Sequence, residues 1–177
     1  MKVLLSIFVS LLISIKTLAA SHSLYIAPSA VSMYGSGEST ALSSLFGPSV
    51  ALAGGLKFHS AAFEFEFKKI NLSNESLGDE DYKTQLQSSI ISIGTRLYLN
   101  RLFSIKAGLA EHFVKMNIEK NGESKPNEES DGEYFGFYGG MGIMRDFTPQ
   151  LQGFLESTLY PIPEIDIYFV DIQLGIR

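Results

Sequence analysis

Phe63-Glu64-Phe65-Glu66-Phe67-Lys68 is the stretch that decides the fold. Three aromatic side chains alternate with three charged ones, and this period of two places the aromatics on one face of a β-strand and the charges on the other. An α-helix would distribute both sets around its circumference. The stretch therefore predicts a strand with one apolar face and one ionic face.

The same alternation recurs along the chain and predicts an all-β protein of eight antiparallel strands. Helical periodicity is scarce, and after the first residues no apolar run approaches the roughly 20 residues of a membrane-spanning helix. The predicted strands cover residues 23–34, 48–59, 62–72, 87–99, 103–117, 134–145, 150–160 and 166–176.

The connections between these strands alternate in length. Short links at 59–61, 100–102 and 146–149 alternate with polar segments at 35–44, 73–86 and 119–133 and a compact turn at 161–163. Membrane-spanning β-barrels sort their connections in this way, with short turns at one end and longer loops at the other. The spacing predicts an up-and-down transmembrane barrel, and a soluble sheet with one wet face remains the alternative.

The first 20 residues have the features of a secretory signal peptide. Met1-Lys2 gives a positive start, residues 3–15 form an apolar run that Lys16 ends, and small residues follow at Ala19-Ala20-Ser21. We expect residues 1–20 to be removed, with cleavage between Ala19 and Ser21, and residues 21–177 to form the barrel domain. An uncleaved anchor helix is the alternative, although the run is short for one.

Charge and cysteine content exclude several classes of partner. The whole chain carries −5, and removal of Lys2 and Lys16 leaves 12 basic against 19 acidic residues, a charge near −7. Such a surface does not neutralise phosphates, so no nucleic acid partner is expected. Without cysteine the chain has no disulfide, thiolate metal site or lipidated cysteine.

In a closed barrel the two faces of each strand separate into an outside and a lumen. Large apolar residues of one parity, among them Phe63, Phe65 and Phe67, are expected on the lipid face. The other parity predicts a polar lumen filled by an ion-pair network of Lys57, Glu64, Glu66, Lys68, Arg96, Lys106, Glu156 and Asp171. If Phe58 faces Phe63, Lys57 stands opposite Glu64.

Aromatic residues near the predicted strand ends are expected to form two girdles at the membrane interfaces. They are Tyr25, Phe58, Tyr98, Phe103 and Phe147 toward the short turns, and Tyr34, Phe46, Tyr134, Tyr160 and Tyr168 toward the long loops.

The chain resembles the small OmpA/OmpX-like family of outer-membrane β-barrels. The resemblance covers nearly the whole chain after the signal peptide and is carried by the eight strands, the sorted loops and the closing Val170-Asp171-Ile172-Gln173-Leu174-Gly175-Ile176. It implies a monomeric barrel in the bacterial outer membrane with a role in envelope anchoring, adhesion or surface interaction. One departure is that the family's last strand usually ends in an aromatic residue, whereas this chain ends in Ile176-Arg177.

Catalytic and metal-binding motifs are absent from the sequence, so no enzyme activity and no cofactor are expected. His22, His59 and His112 have no ligand spacing. His112, placed by parity in the lumen near the long loops, could serve a lipid A-modifying enzyme, although no serine follows it closely. A histidine hydrogen-bonded in a polar lumen is the simpler interpretation.

Function is therefore expected at the loops of a non-enzymatic barrel. Its partners would be outer-membrane lipid and lipopolysaccharide and a ligand outside the cell. The acidic clusters Asp79-Glu80-Asp81 and Glu128-Glu129-Ser130-Asp131 lack EF-hand spacing and indicate solvated loop charge. A soluble, lipocalin-like ligand-binding barrel is a further alternative, and it requires an apolar interior.

Overall fold

Eight long strands make up most of the described chain. The computed structural model describes residues 23–37, 45–76, 82–120, 123–124, 130–165 and 167–177. The predicted signal peptide, His22 and the acidic cluster Asp79-Glu80-Asp81 lie outside these residues. No helix in the described ranges is long and apolar enough to span a membrane.

The long strands agree in number and position with the eight predicted ones. They are β1 (Ser23–Gly37), β2 (Leu45–Lys57), β3 (Ala61–Ser76), β4 (Tyr82–Tyr98), β5 (Phe103–Lys120), β7 (Ser130–Thr148), β8 (Leu151–Ile162) and β9 (Ile167–Ile176). A two-residue strand, β6 (Glu123–Ser124), pairs with the end of β5, and a single 3₁₀ turn (Pro163–Ile165) joins β8 to β9.

The sheet closes on itself. Each long strand pairs antiparallel with the next along the chain, and β9 returns to pair with β1, where Ser29 stands opposite Gly175 and Gly37 opposite Ile167. The predicted up-and-down barrel is therefore confirmed. We refer to its two ends as the short-turn end and the long-loop end.

Side chains shape the tight turns at the short-turn end. The side-chain oxygen of Asn100 accepts hydrogen bonds from the backbone N–H groups of Leu102 and Phe103 at 2.7 and 2.8 Å. The Thr148 hydroxyl oxygen accepts a longer one, 3.3 Å, from the N–H of Gln150. Short polar side chains bond to nearby backbone in this way and reverse the chain within a few residues.

The strands extend further toward the long-loop end than the sequence predicts. Residues 73–76 and 82–86, expected in a loop, continue β3 and β4 and pair with each other, as Ser73 does with Gln85. Similarly, β5 reaches Lys120 and β7 begins at Ser130. Polar residues can occupy a strand whose outer face meets water, so the polarity that predicted loops does not end the strands.

The middle of the barrel carries an apolar belt on its outside. Phe67 is 41% exposed, and the predicted lipid-facing parity is confirmed along the barrel strands. Ile93 has the same parity and lies between its register partners Phe65 and Leu109, but it is only 8% exposed. Other exposed members of the belt are Leu52, Phe137, Met141, Leu155, Ile172 and Leu174.

Above this belt, toward the long loops, the two faces of the sheet exchange polarity. On β3, Lys68 is buried, the next residue Lys69 is exposed, and beyond them Asn71 faces out while Ile70 and Leu72 face in. The neighbouring β4 repeats the exchange with exposed Gln85 and Gln87 and buried Leu86 and Ile90. The long-loop end is thus built like a water-soluble barrel, whereas the belt is built for lipid.

Candidate functional site

The lumen at the level of the belt contains a cluster of buried ions. Strand β3 directs Glu64, Glu66 and Lys68 inward because they alternate with the outward phenylalanines. The neighbouring strand β4 and the more distant strands β5, β8 and β9 add one predicted residue each. These four are Arg96, Lys106, Glu156 and Asp171, and all seven residues are at most 5% exposed.

Arg96 is the centre of the half of this cluster nearer the short turns. Its Nε and Nη2 donate to the two carboxylate oxygens of Glu64 at 2.6 and 2.9 Å, and Nη2 also donates to Glu156 at 3.1 Å. Its Nη1 donates to Glu156 and to the Ser104 hydroxyl. The planar guanidinium therefore uses its fork geometry on two carboxylates at once.

Glu66 is the centre of the other half. Lys68 and Lys106 lie 3.4 and 3.5 Å from its Oε2, and the Gln173 amide donates to its Oε1 at 2.9 Å. Lys68 also pairs with Asp171. Lys106 pairs with Glu156 at 3.0 Å, and this contact joins the two halves into one network.

Lys57 lies apart from this network. It stands opposite Ala62, and Glu64 stands opposite Gly55, so the predicted pairing of Lys57 with Glu64 is wrong by two residues. The lysine ammonium lies 4.7 Å from the centre of the Tyr98 ring at the short-turn end. The β2–β3 turn lies one residue earlier than expected, because Phe58 to Ser60 lie outside the strands where residues 59–61 were predicted, and the Phe58 N–H donates to the Ala61 carbonyl.

Arg177 contributes the fourth cation that Lys57 was expected to supply. Its Nη2 lies 3.3 Å from Glu64, its Nη1 donates to the Tyr98 hydroxyl at 3.2 Å, and its guanidinium lies over the Tyr25 ring. The sequence signal for Arg177 was its parity. It is separated by an even number of positions from Asp171 and Gln173, whose side chains point into the lumen from β9. We call Glu64, Glu66, Lys68, Arg96, Lys106, Glu156, Asp171 and Arg177 the ionic layer.

The ionic layer balances its own charge, with four carboxylates against four cations. Moving an unpaired ion from water into a protein interior costs several kcal/mol even after relaxation. Hydrogen bonds and opposite charges on every member offset that cost, and the layer fills the lumen where the belt surrounds it.

An apolar cluster fills the lumen between the ionic layer and the long loops, so the predicted polar lumen describes only part of the interior. The expectation is wrong here because the faces exchange polarity above the belt. We call this cluster the apolar plug. It comprises Met33, Leu45, Ile70, Leu72, Leu86, Ile90, Ala110, Val114, Tyr138, Tyr160, Ile162, Ile167 and Phe169.

His112 lies in the lumen against the apolar plug. It is 0% exposed, with its ring stacked on Phe169 at a centroid distance of 6.2 Å and edge-on to Tyr160 at 5.8 Å. Neither ring nitrogen has a hydrogen-bond partner in the part of the chain that the structure describes. The lumen placement is as predicted, whereas the hydrogen-bonded histidine of a polar lumen is not what the structure contains.

Paired glycines make room for an aromatic side chain above the ionic layer. Gly94 stands opposite Gly108, and Gly108 stands opposite Tyr138 on the next strand. A Cβ on Gly94 would contact the Tyr138 hydroxyl and the backbone oxygen of Ala107. The lack of a side chain at this pair of glycines thus leaves room for the Tyr138 ring in the lumen.

The predicted aromatic girdles are correct in part. Phe46, Phe103, Phe147, Tyr34 and Tyr168 are exposed on the outside. Tyr25, Tyr98 and Tyr160 instead pack inside the barrel. Tyr160 belongs to the apolar plug, and the other two pack against a small buried cluster at the short-turn end, formed by Ala27, Ala53, Met144 and Phe154. Side-chain parity rather than distance from the strand end decides which aromatic faces lipid.

The described residues contain no cluster suited to a metal ion. No group of three or more His, Asp or Glu side chains among them could hold a metal ion. Within the lumen, the carboxylates of the ionic layer pair with lysine and arginine side chains.

Solved structures with this architecture are small outer-membrane barrels. Ail, the attachment invasion locus protein of Yersinia pestis, solved with the heparin analogue sucrose octasulfate, matches with a TM-score of 0.61 at 12% identity, covering 89% of this chain and 97% of Ail. Neisserial surface protein A matches with a TM-score of 0.55 at 14% identity, covering 89% and 97%. OprG from Pseudomonas aeruginosa matches with a TM-score of 0.53 at 11% identity, covering 89% and 94%.

No protein-family model and no curated protein sequence matches the chain. The structural matches show the fold, which is that of the small eight-stranded outer-membrane barrels. A closed barrel of this fold with an apolar belt and an ion-filled lumen is built to span a bacterial outer membrane.

Proposed function

We propose that this protein is a non-enzymatic outer-membrane β-barrel with a filled lumen, which acts in envelope structure or surface interaction through its long-loop end. The observation that carries the proposal is the filling of the lumen by the ionic layer and the apolar plug. A solute then has no open path through the barrel. The loops are therefore the part of the protein that can contact a partner outside the cell.

The loops favour a cationic partner outside the cell. Residues 73–86 hold four acids and one lysine, and residues 119–133 hold six acids and two lysines. The structure of Ail contains a heparin analogue, which is a polyanion. The acidic loops of this chain have the same sign of charge as such a ligand, so they would repel it and attract a basic one.

In this arrangement the belt contacts outer-membrane lipid, and lipopolysaccharide surrounds the long-loop end. The β-ladder of a single chain closes without an unpaired edge between β1 and β9 from Ser29 to Gly37. A second copy is therefore not needed to complete the sheet, and we propose a monomer.

Two other functions fit the described residues less well. A lipid A-modifying enzyme needs its histidine within reach of a lipid headgroup, whereas His112 lies inside the barrel with 0% exposure. A lipocalin-like carrier needs an apolar interior and a polar outside along its whole length, whereas the belt region has the reverse arrangement.

Two measurements on the full chain test the proposal. In planar bilayers, the purified protein should give no large, stable conductance. Cells that export it should bind more fluorescent polylysine, and no more fluorescent heparin, than cells that lack it, and neutralising Asp79, Glu80, Asp81, Glu128 and Glu129 to amides should remove the excess polylysine binding. Asp146→Asn, an exposed acid at the short-turn end, is the matched control and should leave binding unchanged. A wide pore, or stronger heparin binding, would contradict the proposal.

A further inference from the structure

A groove on the outside of the barrel follows one hydrogen-bonded row of residues across six strands. Its volume is about 1020 Å³, and it lies toward the short-turn end of the apolar belt. Each member of the row stands opposite the next in the ladder, and all face outward. In order around the barrel they are Phe103, Ile143, Leu155, Leu174, Ala30 and Val50.

Ala30 has the smallest side chain of the row. Its two register partners, Val50 and Leu174, are both more than 60% exposed and rise on either side of it. Pro28, two residues away on the same face, also lines the groove. Small side chains between larger ones leave a channel rather than a flat wall.

The direction of the row suits an extended hydrocarbon chain. Five interstrand steps of about 4.8 Å give a length of roughly 24 Å. Because barrel strands tilt by about 35–45° from the axis, a row perpendicular to the strands climbs from the short-turn end toward the middle of the belt. A fatty acyl chain lying in it would enter near Phe103 and end near Val50.

An unpaired cation lies where the chain would enter. Arg145 lines the groove, is exposed on the outer face of β7, and stands two residues from Ile143. It forms no salt bridge with any carboxylate of the described residues. An arginine at the border of an apolar belt suits a phosphate, which its guanidinium binds with paired hydrogen bonds.

We infer that this groove binds one glycerophospholipid of the inner, periplasmic leaflet, with an acyl chain along the row and the phosphate on Arg145. The inference rests on the proposed orientation, in which the short-turn end faces the periplasm. An anionic headgroup such as that of phosphatidylglycerol binds more tightly than a zwitterionic one, because the site presents the positive charge of Arg145, which pairs with no carboxylate of the described residues.

The test counts retained lipid by native mass spectrometry of the full-length barrel, after removal of its signal peptide. Protein refolded into vesicles of phosphatidylethanolamine with phosphatidylglycerol is extracted in mild detergent and compared among variants. Wild type should retain one phosphatidylglycerol per barrel. Arg145→Gln removes the charge-assisted headgroup contact and Ala30→Leu fills the channel that holds the acyl chain. Each should lower retention by about tenfold, which corresponds to a loss of about 1.4 kcal/mol of binding free energy.

Matched controls change the same residue types elsewhere on the outside. Ala107→Leu alters an exposed alanine of the belt on β5, and Lys69→Gln removes an exposed cation at the long-loop end. Both should retain lipid as wild type does. If wild type retains no lipid, or if all four variants behave alike, the site does not exist.

Heat-dependent gel mobility and protease cleavage of the loops report folding and orientation of each variant separately. Correct insertion with the loops outside the vesicle and no retained lipid would overturn only this inference. Failure of wild type to insert would overturn the proposed function together with it. Should Ala30→Leu fold poorly, Arg145→Gln still decides, because its exposed side chain has no structural partner in the described chain.

Discussion

Arg96 and Glu156 meet in the centre of the lumen although their strands, β4 and β8, are not neighbours in the sheet. Arg96 Nη2 donates to Glu156 Oε1 at 3.1 Å, and the same guanidinium holds Glu64 on β3. The contact crosses the barrel and connects walls that the backbone ladder joins only around the circumference. Loss of this arginine would leave two buried carboxylates without their main partner.

Arg96→Met is therefore expected to lower the free energy of unfolding by about 3–5 kcal/mol, the usual loss when one partner of a buried pair is removed. Guanidinium titration in detergent, followed by the heat-shifted gel band, measures it. Adding Glu64→Gln and Glu156→Gln should recover part of the loss, since the orphaned charges disappear. Arg101→Gln, in an exposed turn, should change stability by less than about 0.5 kcal/mol. Equal losses for Arg96 and Arg101 would refute the importance of the network.

The stability losses of Lys57→Met and Lys106→Met distinguish the observed ion-pair network from the network that the sequence predicted. Lys106 pairs with Glu156 and Glu66, so its loss should cost about 3–5 kcal/mol. Lys57 contacts the Tyr98 ring, an interaction of about 1 kcal/mol at a partly exposed position. The same titration compares the two variants, and a larger loss for Lys57 would favour the predicted register.

His112→Leu is expected to stabilise the barrel by about 1–3 kcal/mol, because it removes a buried imidazole whose nitrogens lack partners in the described residues. His59→Leu, in an exposed turn, is the control and should have little effect. Mass spectrometry of lipid A from cells with either variant should be unchanged. A histidine-dependent change in acylation would instead support the enzyme alternative.

Gly94→Ala should destabilise the barrel by about 1–3 kcal/mol through overpacking against backbone and Tyr138. Gly139→Ala is the matched control, since its new methyl would meet its nearest neighbour, the Lys106 backbone oxygen, only at 4.0 Å. Thermal or guanidinium unfolding distinguishes the two. Similar effects at both positions would mean that the Tyr138 contact is not what requires glycine.

Single-cysteine labels locate the boundary where the faces exchange polarity, and the absence of native cysteine makes them unambiguous. A fluorophore at Phe67→Cys should be quenched by lipid-borne quenchers and protected from iodide. At Asn71→Cys, the reverse is expected, because that face meets water above the belt. Lipid quenching at residue 71 as strong as at residue 67 would place the membrane higher and contradict the boundary at Lys69.

The sequence by itself determined the fold class and the side-chain parity. Alternation in Phe63-Glu64-Phe65-Glu66-Phe67-Lys68 predicts which side chains face outward, and the sorted link lengths predict an up-and-down barrel of eight strands. Seven of the eight expected network residues are buried together in the lumen. These features are local, because the period of two is a property of each strand alone.

Register, partners and the division of the lumen were decided only by the tertiary structure. The β2–β3 turn moved Lys57 by two residues relative to Glu64, and closure of the barrel brought Arg177 to the place that Lys57 was expected to fill. The apolar plug depends on which residues of eight strands reach the same level. That level is set by strand tilt and stagger around the closed ring, which no single strand encodes.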